Sequence, residues 1–169
     1  MRILLLAFSL MLAGCSLQPV YSGGQQGEAM GLLGAVEVGP IPDKAGFLVR
    51  DRLLQRLPSA ESPRYRLDVV LDDDIIGFGV RGDNSIIRER RTLRARYRLV
   101  ETGTDKVLLD TTATADAGID VVSSEYAVVA AEATALERLA QDIADQIIAR
   151  LALYGRNAPA APVPVKPQP

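Results

Sequence analysis

The sequence predicts an α+β domain, a two-layer sandwich in which two helices pack on one face of a four-stranded, mostly antiparallel sheet. Two observations predict this class. The period of the apolar residues changes along the chain between that of a helix and that of a strand, and three strand-like segments follow one another with short connections. The predicted order is strand, helix, three strands, helix. Two helices on one side of such a sheet leave its other side polar.

The first predicted strand and helix lie between residues 35 and 57. Residues 35–41 (AVEVGPI) alternate apolar and polar side chains until the prolines at 40 and 42 stop the strand. Asp43 is a predicted N-cap, and the helix extends through Leu57. The predicted apolar face of this helix consists of Phe47, Val49, Leu53, Leu54 and Leu57.

The next three strands form a predicted antiparallel meander. From Arg64 the apolar residues alternate, and Gly77, Gly79 and Gly82 are typical of a turn before the second strand at 86–101. Residues 102–105 (TGTD) then give a tight connection to a third strand at 106–117.

A long amphipathic helix closes the predicted domain. Its apolar residues recur every three or four positions from Val129 to Leu151, after Ser123 and Ser124 and before Gly155. About 31 residues would extend about 45 Å. A coiled coil with a second helix is an alternative, but the many alanines favour close packing on strands.

The N-terminal residues indicate export followed by lipidation. Arg2 precedes an apolar run, Ile3 to Leu12, that is shorter than the about 20 residues of a membrane-spanning helix. Residues 12–15 (LAGC) match the bacterial lipobox, so residues 1–14 are a predicted signal peptide and Cys15 is the predicted lipid anchor. By resemblance to lipoproteins in which Asp at the next position causes retention in the inner membrane, Ser16 implies transfer to the outer membrane.

The composition divides the remainder into three parts. Residues 15–34 contain the anchor and a predicted flexible tether rich in Gly, Gln and Ser. Residues 35–156 form a single predicted α/β domain. Residues 157–169 carry five prolines and form a predicted disordered, polyproline-like tail.

The residue types present argue against catalysis. The chain has no histidine, which removes the commonest general base and metal ligand, and Ser123 and Ser124 have no evident base partner. The run Asp72-Asp73-Asp74 is more typical of a solvated strand edge than of an acid/base pair or a metal site. We therefore predict a protein that is not an enzyme and that uses no cofactor or metal.

An arginine-rich strand is the most informative segment. In residues 86–99 (IIRERRTLRARYRL), Leu93, Ala95, Tyr97 and Leu99 share one parity and are predicted to face the core. The opposite parity presents five guanidinium groups on one face: Arg88, Arg90, Arg94, Arg96 and Arg98.

Two interpretations of this face stay open. Neighbouring side chains on one side of a strand are about 6.5 to 7 Å apart, so the row is suited to phosphates or carboxylates. Alternatively, the flanking strands neutralise it through Asp68, Asp72, Asp110 and Asp116. A nucleic acid is a poor match, because the chain is exported, has a net charge of −2 and contains few aromatic residues. An anionic envelope glycolipid fits better.

Several of these segments together resemble one family. The lipobox, Val36-Glu37-Val38, residues 65–69 (YRLDV), the arginine-rich strand, Thr102-Gly103 and residues 124–127 (SEYA) are similar to the lipopolysaccharide-assembly lipoprotein family LptE of proteobacteria. The resemblance covers about residues 1–154.

The resemblance implies an outer-membrane lipoprotein on the periplasmic side that plugs the β-barrel LptD, helps to assemble it, and binds lipopolysaccharide for insertion into the outer leaflet. The resemblance implies a lipopolysaccharide site in the turn and strand around Arg81, Arg88, Arg90 and Arg91. Together with the arginine row, the predicted ligand-binding residues are Arg88, Arg90, Arg91, Arg94, Arg96 and Arg98. Two other roles stay open, as an auxiliary lipoprotein of a phospholipid transporter or as an activator of a peptidoglycan synthase.

Overall fold

The computed structural model describes residues 28–80 and 86–157 and confirms the predicted α+β class. Its helices are α1 (Glu28–Leu33), α2 (Asp43–Arg56) and α3 (Glu125–Asn157), and its strands are β1 (Val36–Val38), β2 (Tyr65–Val80), β3 (Ile86–Glu101) and β4 (Val107–Asp120). The strands form one sheet in the order β1-β2-β3-β4, with β1 parallel to β2 and the other pairs antiparallel. The predicted signal peptide, Cys15, Arg81 and residues 158–169 lie outside the described residues.

The core lies between α3 and the sheet. The apolar residues of α3 recur every three or four positions, so Ile143, Ile147 and Leu151 fall on one side of the helix and are fully buried. They pack in one cluster with the inward-facing residues of β3, which include Leu93 and Leu99. The predicted alternation of β3 therefore places its apolar residues in the core as expected.

The buried side of α2 matches the predicted one only in part. Phe47 and Leu54, predicted for the apolar face, are 68% and 48% exposed, whereas Val49 and Leu53 are fully buried. The reason lies in the small residues Ala45 and Gly46: a Cβ added at Gly46 would lie 2.6 Å from the carbonyl oxygen of Ile41. The side of the helix that carries Ala45, Gly46, Val49 and Leu53 therefore faces inward, and Phe47 and Leu54 face solvent.

The β2–β3 hairpin is longer than predicted, because Gly77 and Gly79 belong to β2 and not to a turn. Gly77 pairs with Glu89 of β3, and Phe78 pairs with Arg88. The length of β3 explains the difference, because it pairs with β2 on both sides of Gly79, up to Val80, and so extends the strand through the two glycines.

Residues 28–33, which the sequence assigned to the tether, form the short helix α1. Ala29, Leu32 and Leu33 are buried and belong to the same core cluster as the C-terminal part of α3. Burial of these three apolar side chains accounts for a helix that is too short to be stable alone.

The described chain enters at one end of the sheet and forms its hairpin at the other. β1 pairs with the first three residues of β2, next to the last residue of β3, whereas the β2–β3 connection lies at the far end of both strands. α3 begins beside the far end of β4 and returns toward the entry of the chain. Within residues 28–80 and 86–157, no helix is long and apolar enough to cross a membrane.

We expect Leu151→Ala to lower the free energy of unfolding by about 2–5 kcal/mol, because the substitution leaves a cavity in the core between α3 and the sheet. Urea unfolding followed by circular dichroism measures this change. Leu153→Ala, on the same helix but largely exposed, is the matched control and should cost less than about 1 kcal/mol. Equal losses in the two variants would contradict the described packing.

Candidate ligand-binding face

The side of the sheet without helices carries charged and apolar side chains in rows; we call it the open face. Even-numbered residues of β2, β3 and β4 point to this side, because the buried residues Leu67, Leu93 and Ala113 have odd numbers. Five of the predicted arginines lie together on it: Arg88, Arg90, Arg94, Arg96 and Arg98. Their common orientation follows from the alternation of β3.

Three of these five arginines form ion pairs with neighbouring strands. Arg88 Nε donates to Asp120 at 3.1 Å, and Arg96 Nε and Nη2 donate to the two carboxylate oxygens of Asp110 at 3.0 and 2.8 Å. Arg98 Nη2 lies 3.9 Å from Asp68. For these residues the alternative interpretation, neutralisation by flanking aspartates, is the one that the structure supports.

The Arg96–Asp110 pair changes the ionisation of both groups. The hydrogen bond and the charge of Asp110 raise the pKa of the Arg96 guanidinium, and the hydrogen bond from Arg96 lowers the pKa of the Asp110 carboxyl. Both groups stay charged over the physiological range. Because the pair is exposed, its contribution to stability is small.

Arg90 and Arg94 differ from the other three. Within the described residues neither of them forms an ion pair. The Arg90 guanidinium lies 5.5 Å from the centroid of the Phe78 ring, and Arg94 lies between Asp72 and Thr114 in the strand register. Four residues along a strand separate them by about 13 Å. Among the described residues of this face, Arg90 and Arg94 can therefore bind an anion without first releasing a carboxylate.

Exposed apolar side chains lie on the same face. Val70, Ile76 and Phe78 of β2 are 68%, 50% and 38% exposed, and Ile76 and Phe78 are the cross-strand neighbours of Arg90 and Arg88. Ile76 and Phe78 were not predicted here because the glycines beside them indicated a turn, and Val70 shares the parity of Arg66, Asp68 and Asp72, which the sequence predicted as the polar side. The open face therefore combines cationic and apolar groups at its hairpin end.

Arg66 is a further cation of the open face that the sequence analysis did not select. Its Nε donates to Asp68 Oδ1 at 2.9 Å, and its Nη2 lies 3.8 Å from Asp105. The hydrogen bond with Asp68 raises the pKa of the Arg66 guanidinium. The alternation of β2 places Arg66 and Asp68 on one side, and this was the signal that could have identified the pair.

Arg91 lies on the opposite side of the sheet from the other predicted arginines. Its Nε and Nη2 donate to Asp73 at 2.8 and 2.6 Å, and its Nη1 donates to the backbone carbonyl of Glu132 in α3 at 3.0 Å. Its side chain is 12% exposed, and the hydrogen bond with Asp73 raises the pKa of its guanidinium. Arg91 thus joins β3, β2 and α3 and is not brought together with the open-face arginines.

Two solved structures with a similar fold are those of lipoproteins. A lipoprotein from Caulobacter crescentus is 19% identical, with a TM-score of 0.64, and the match covers 80% of this chain and all of that one. The rare lipoprotein B from Shewanella oneidensis is 12% identical, with a TM-score of 0.58, and the match covers 73% of this chain and 96% of that one. At this identity the likeness defines the class of fold, the α+β domain of small lipoproteins.

The lipopolysaccharide-assembly family LptE matches residues 33–151, which is most of the folded part. The chain therefore belongs to the LptE family. An uncharacterized protein of Rickettsia prowazekii is 25% identical over 150 residues, which cover 85% of this chain and 90% of that protein.

We expect Arg96→Ala to raise the pKa of Asp110 toward its ordinary value, because the substitution removes the hydrogen-bond donor that stabilises the carboxylate. A carboxyl ¹³C NMR titration of the folded protein measures it, with Arg138→Ala on α3 as the control. Since folding lowers this pKa, the pair stabilises the fold above the ordinary Asp pKa, and this contribution is lost as the pH falls through the lowered value. An Asp110 pKa that Arg96→Ala leaves unchanged would disprove the coupling.

Proposed function

We propose that this protein is an outer-membrane lipoprotein that binds lipopolysaccharide on its open face and helps to assemble LptD, the β-barrel in which it sits as a plug during insertion of lipopolysaccharide into the outer leaflet. Membership of the LptE family supports the role in lipopolysaccharide assembly. One observation carries the ligand-binding part: Arg90 and Arg94, without ion pairs in the described part of the chain, lie beside exposed apolar side chains.

The chemistry of the ligand matches this combination. Lipopolysaccharide carries phosphate groups on a sugar backbone and acyl chains beside them. A guanidinium group binds phosphate through two parallel hydrogen bonds, and Arg90 and Arg94 can do so without losing a carboxylate partner. Exposed Val70, Ile76 and Phe78 offer an apolar surface next to them.

The other predicted site residues have different parts in this proposal. Arg88, Arg96 and Arg98 contribute positive potential, and each would exchange an aspartate for a phosphate to contact the ligand directly. Arg91 acts as a positioning residue, because its bonds to Asp73 and Glu132 fix β3 against β2 and α3.

The attachment to the membrane is proposed from the sequence. A multiply acylated Cys15 would hold the domain on the periplasmic side of the membrane, since each buried CH₂ contributes about 0.8 kcal/mol. Ser16 in the following position supports the outer membrane as its location.

Family membership also supports one of the envelope machines considered from the sequence over the others. LptE proteins are lipopolysaccharide-assembly factors without enzymatic activity. This favours the barrel LptD as the partner over a phospholipid transporter or a peptidoglycan synthase.

We expect Arg90→Glu combined with Arg94→Glu to weaken binding of purified lipopolysaccharide by about tenfold or more, because two hydrogen-bonded charges are replaced by repulsive ones. Isothermal titration calorimetry measures the affinity, and circular dichroism checks the fold. The control is Arg138→Glu with Arg150→Glu, which makes the same change of charge on exposed positions of α3. Equal affinities in the two double variants would exclude Arg90 and Arg94 as the binding site.

We expect Cys15→Ser to release the protein from the outer-membrane fraction into the soluble periplasmic fraction, because the acyl acceptor is lost. Cell fractionation measures this, and mass spectrometry of the wild-type N-terminus reports the acyl groups. The wild-type protein should co-purify with LptD after detergent extraction. An unmodified Cys15, or co-purification with an inner-membrane transporter or a synthase in place of LptD, would refute this assignment.

A further inference from the structure

The outer edge of β2 is covered by another strand for only a short distance. β1 pairs with Tyr65, Arg66 and Leu67, and the chain then turns away through Pro40 and Pro42 into α2. β2 itself continues to Val80. Beyond Leu67, no other strand of the described residues lies against this edge.

The hydrogen-bond pattern identifies the backbone groups that face this edge. Thr102 N donates to the carbonyl of Arg64 at 2.8 Å, so the even-numbered residues of β2 bond to β3, and the odd-numbered ones point the other way. Gly39 N accordingly donates to the carbonyl of Leu67 at 3.0 Å on the outer side. The same alternation directs outward the N–H and C=O groups of Leu71, Asp73, Ile75 and Gly77.

Two features distinguish this edge from the edge at β4. The free edge of β4 carries Asp110, Asp116 and Asp120, and Gln146 Nε2 donates to the carbonyl of Thr114 at 3.3 Å. The edge of β2 has no such side-chain donor among the described hydrogen bonds. It has exposed apolar side chains on both sides of the sheet, Ile75 on one and Val70 and Ile76 on the other. These apolar side chains flank the acidic run at Asp72, Asp73 and Asp74, so the charge of this edge disfavours an acidic partner strand and favours a basic one.

A groove runs along the first part of this edge. It has a volume of about 430 Å³ and lies between the start of α2, at Pro42 and Lys44, and the β2 residues Val69, Leu71 and Asp73. The edge of β2 at Leu71 and the start of α2 are therefore separated by open space, in which the backbone of a partner segment can lie.

The acidic run Asp72-Asp73-Asp74 at the centre of the edge determines which charge a pairing strand must carry. Asp73 is bonded to Arg91, whereas Asp72 and Asp74 on the open face form no ion pair with the described residues. If a second copy of this chain paired with residues 71–77 in the antiparallel direction, Asp74 of one copy would lie opposite Asp74 of the other, with Cα atoms about 4.5 Å apart. The two carboxylates would repel each other, which disfavours a second copy as the occupant. A strand with a Lys or Arg at this point, flanked by apolar residues, is attracted.

We infer that the edge of β2 from Leu71 to Gly77 accepts an extended segment of a partner protein as an additional strand. Outward N–H and C=O groups supply the affinity, and a basic residue of the segment faces Asp72 and Asp74 between apolar neighbours. The inference rests on the proposed function, in which the partner is LptD.

Amide hydrogen exchange tests this directly, on the full lipidated chain alone and in complex with co-purified LptD. Free chain should exchange rapidly at Leu71, Asp73, Ile75 and Gly77, in alternation with the slower even-numbered amides. In the complex, these four amides should slow by about tenfold or more, because they become hydrogen-bonded. Exchange at the same rates in an intact complex would overturn the inference while leaving the proposed function in place.

A matched pair of proline variants gives a second measurement. Ile75→Pro removes one outward N–H without removing a bond to β3, and Thr112→Pro does the same on the edge of β4. We expect Ile75→Pro to reduce the yield of the LptD complex about tenfold and Thr112→Pro to leave it unchanged, with thermal unfolding as the check of the fold. Equal yields from folded variants would overturn the inference, and a wild-type chain that forms no LptD complex would overturn the proposed function with it.

Discussion

The burial of α3 against the sheet is the interaction on which the rest of the structure depends. Eleven residues of this helix are buried, and each large aliphatic side chain among them contributes about 1.5–3 kcal/mol. Because α2 and α3 occupy the same side of the sheet, the even-numbered strand residues are left in contact with water. A row of arginines is stable only in such a position, since an unpaired guanidinium under the helices would lose its hydration.

Strand parity gives adjacent arginines opposite roles. Arg90 and Arg91 are neighbours in sequence, yet one lies on the open face above Phe78 and the other is held by Asp73 and Glu132 on the helix side. Ion pairs then divide the open face further, because within the described residues most of its arginines are paired with an aspartate, whereas Arg90 and Arg94 are not. An acidic protein can in this way present a local cationic site, one whose strength is set by the aspartates of the neighbouring strands.

The class of fold, α3 and the orientation of the arginines were predictable because each depends on a strong local period. The exposure of Phe47 and Leu54 in α2 was not, because it depends on the close approach of Gly46 to Ile41, which periodicity does not contain. The extension of β2 through Gly77 to Val80 depends on pairing with β3. The ion pairs depend on register as well: Arg88 and Asp120 are 32 positions apart, so sequence alone could name the charges but could not say which arginines remain unpaired.

The chain enters the domain at one end of the sheet, and the β2–β3 hairpin lies at the other end, so the long strands separate the two. Strands of 16 residues extend about 50 Å, which is more than the about 40–45 Å of a whole bilayer with its headgroups. Position along β3 is therefore also a measure of distance from the end where the polypeptide arrives, about 3.3 Å for each residue. Arg90 lies near the hairpin end of β3, and Arg98 lies near the end where the chain enters. Arginines that are only a few residues apart in sequence therefore lie at clearly different distances from the point of chain entry.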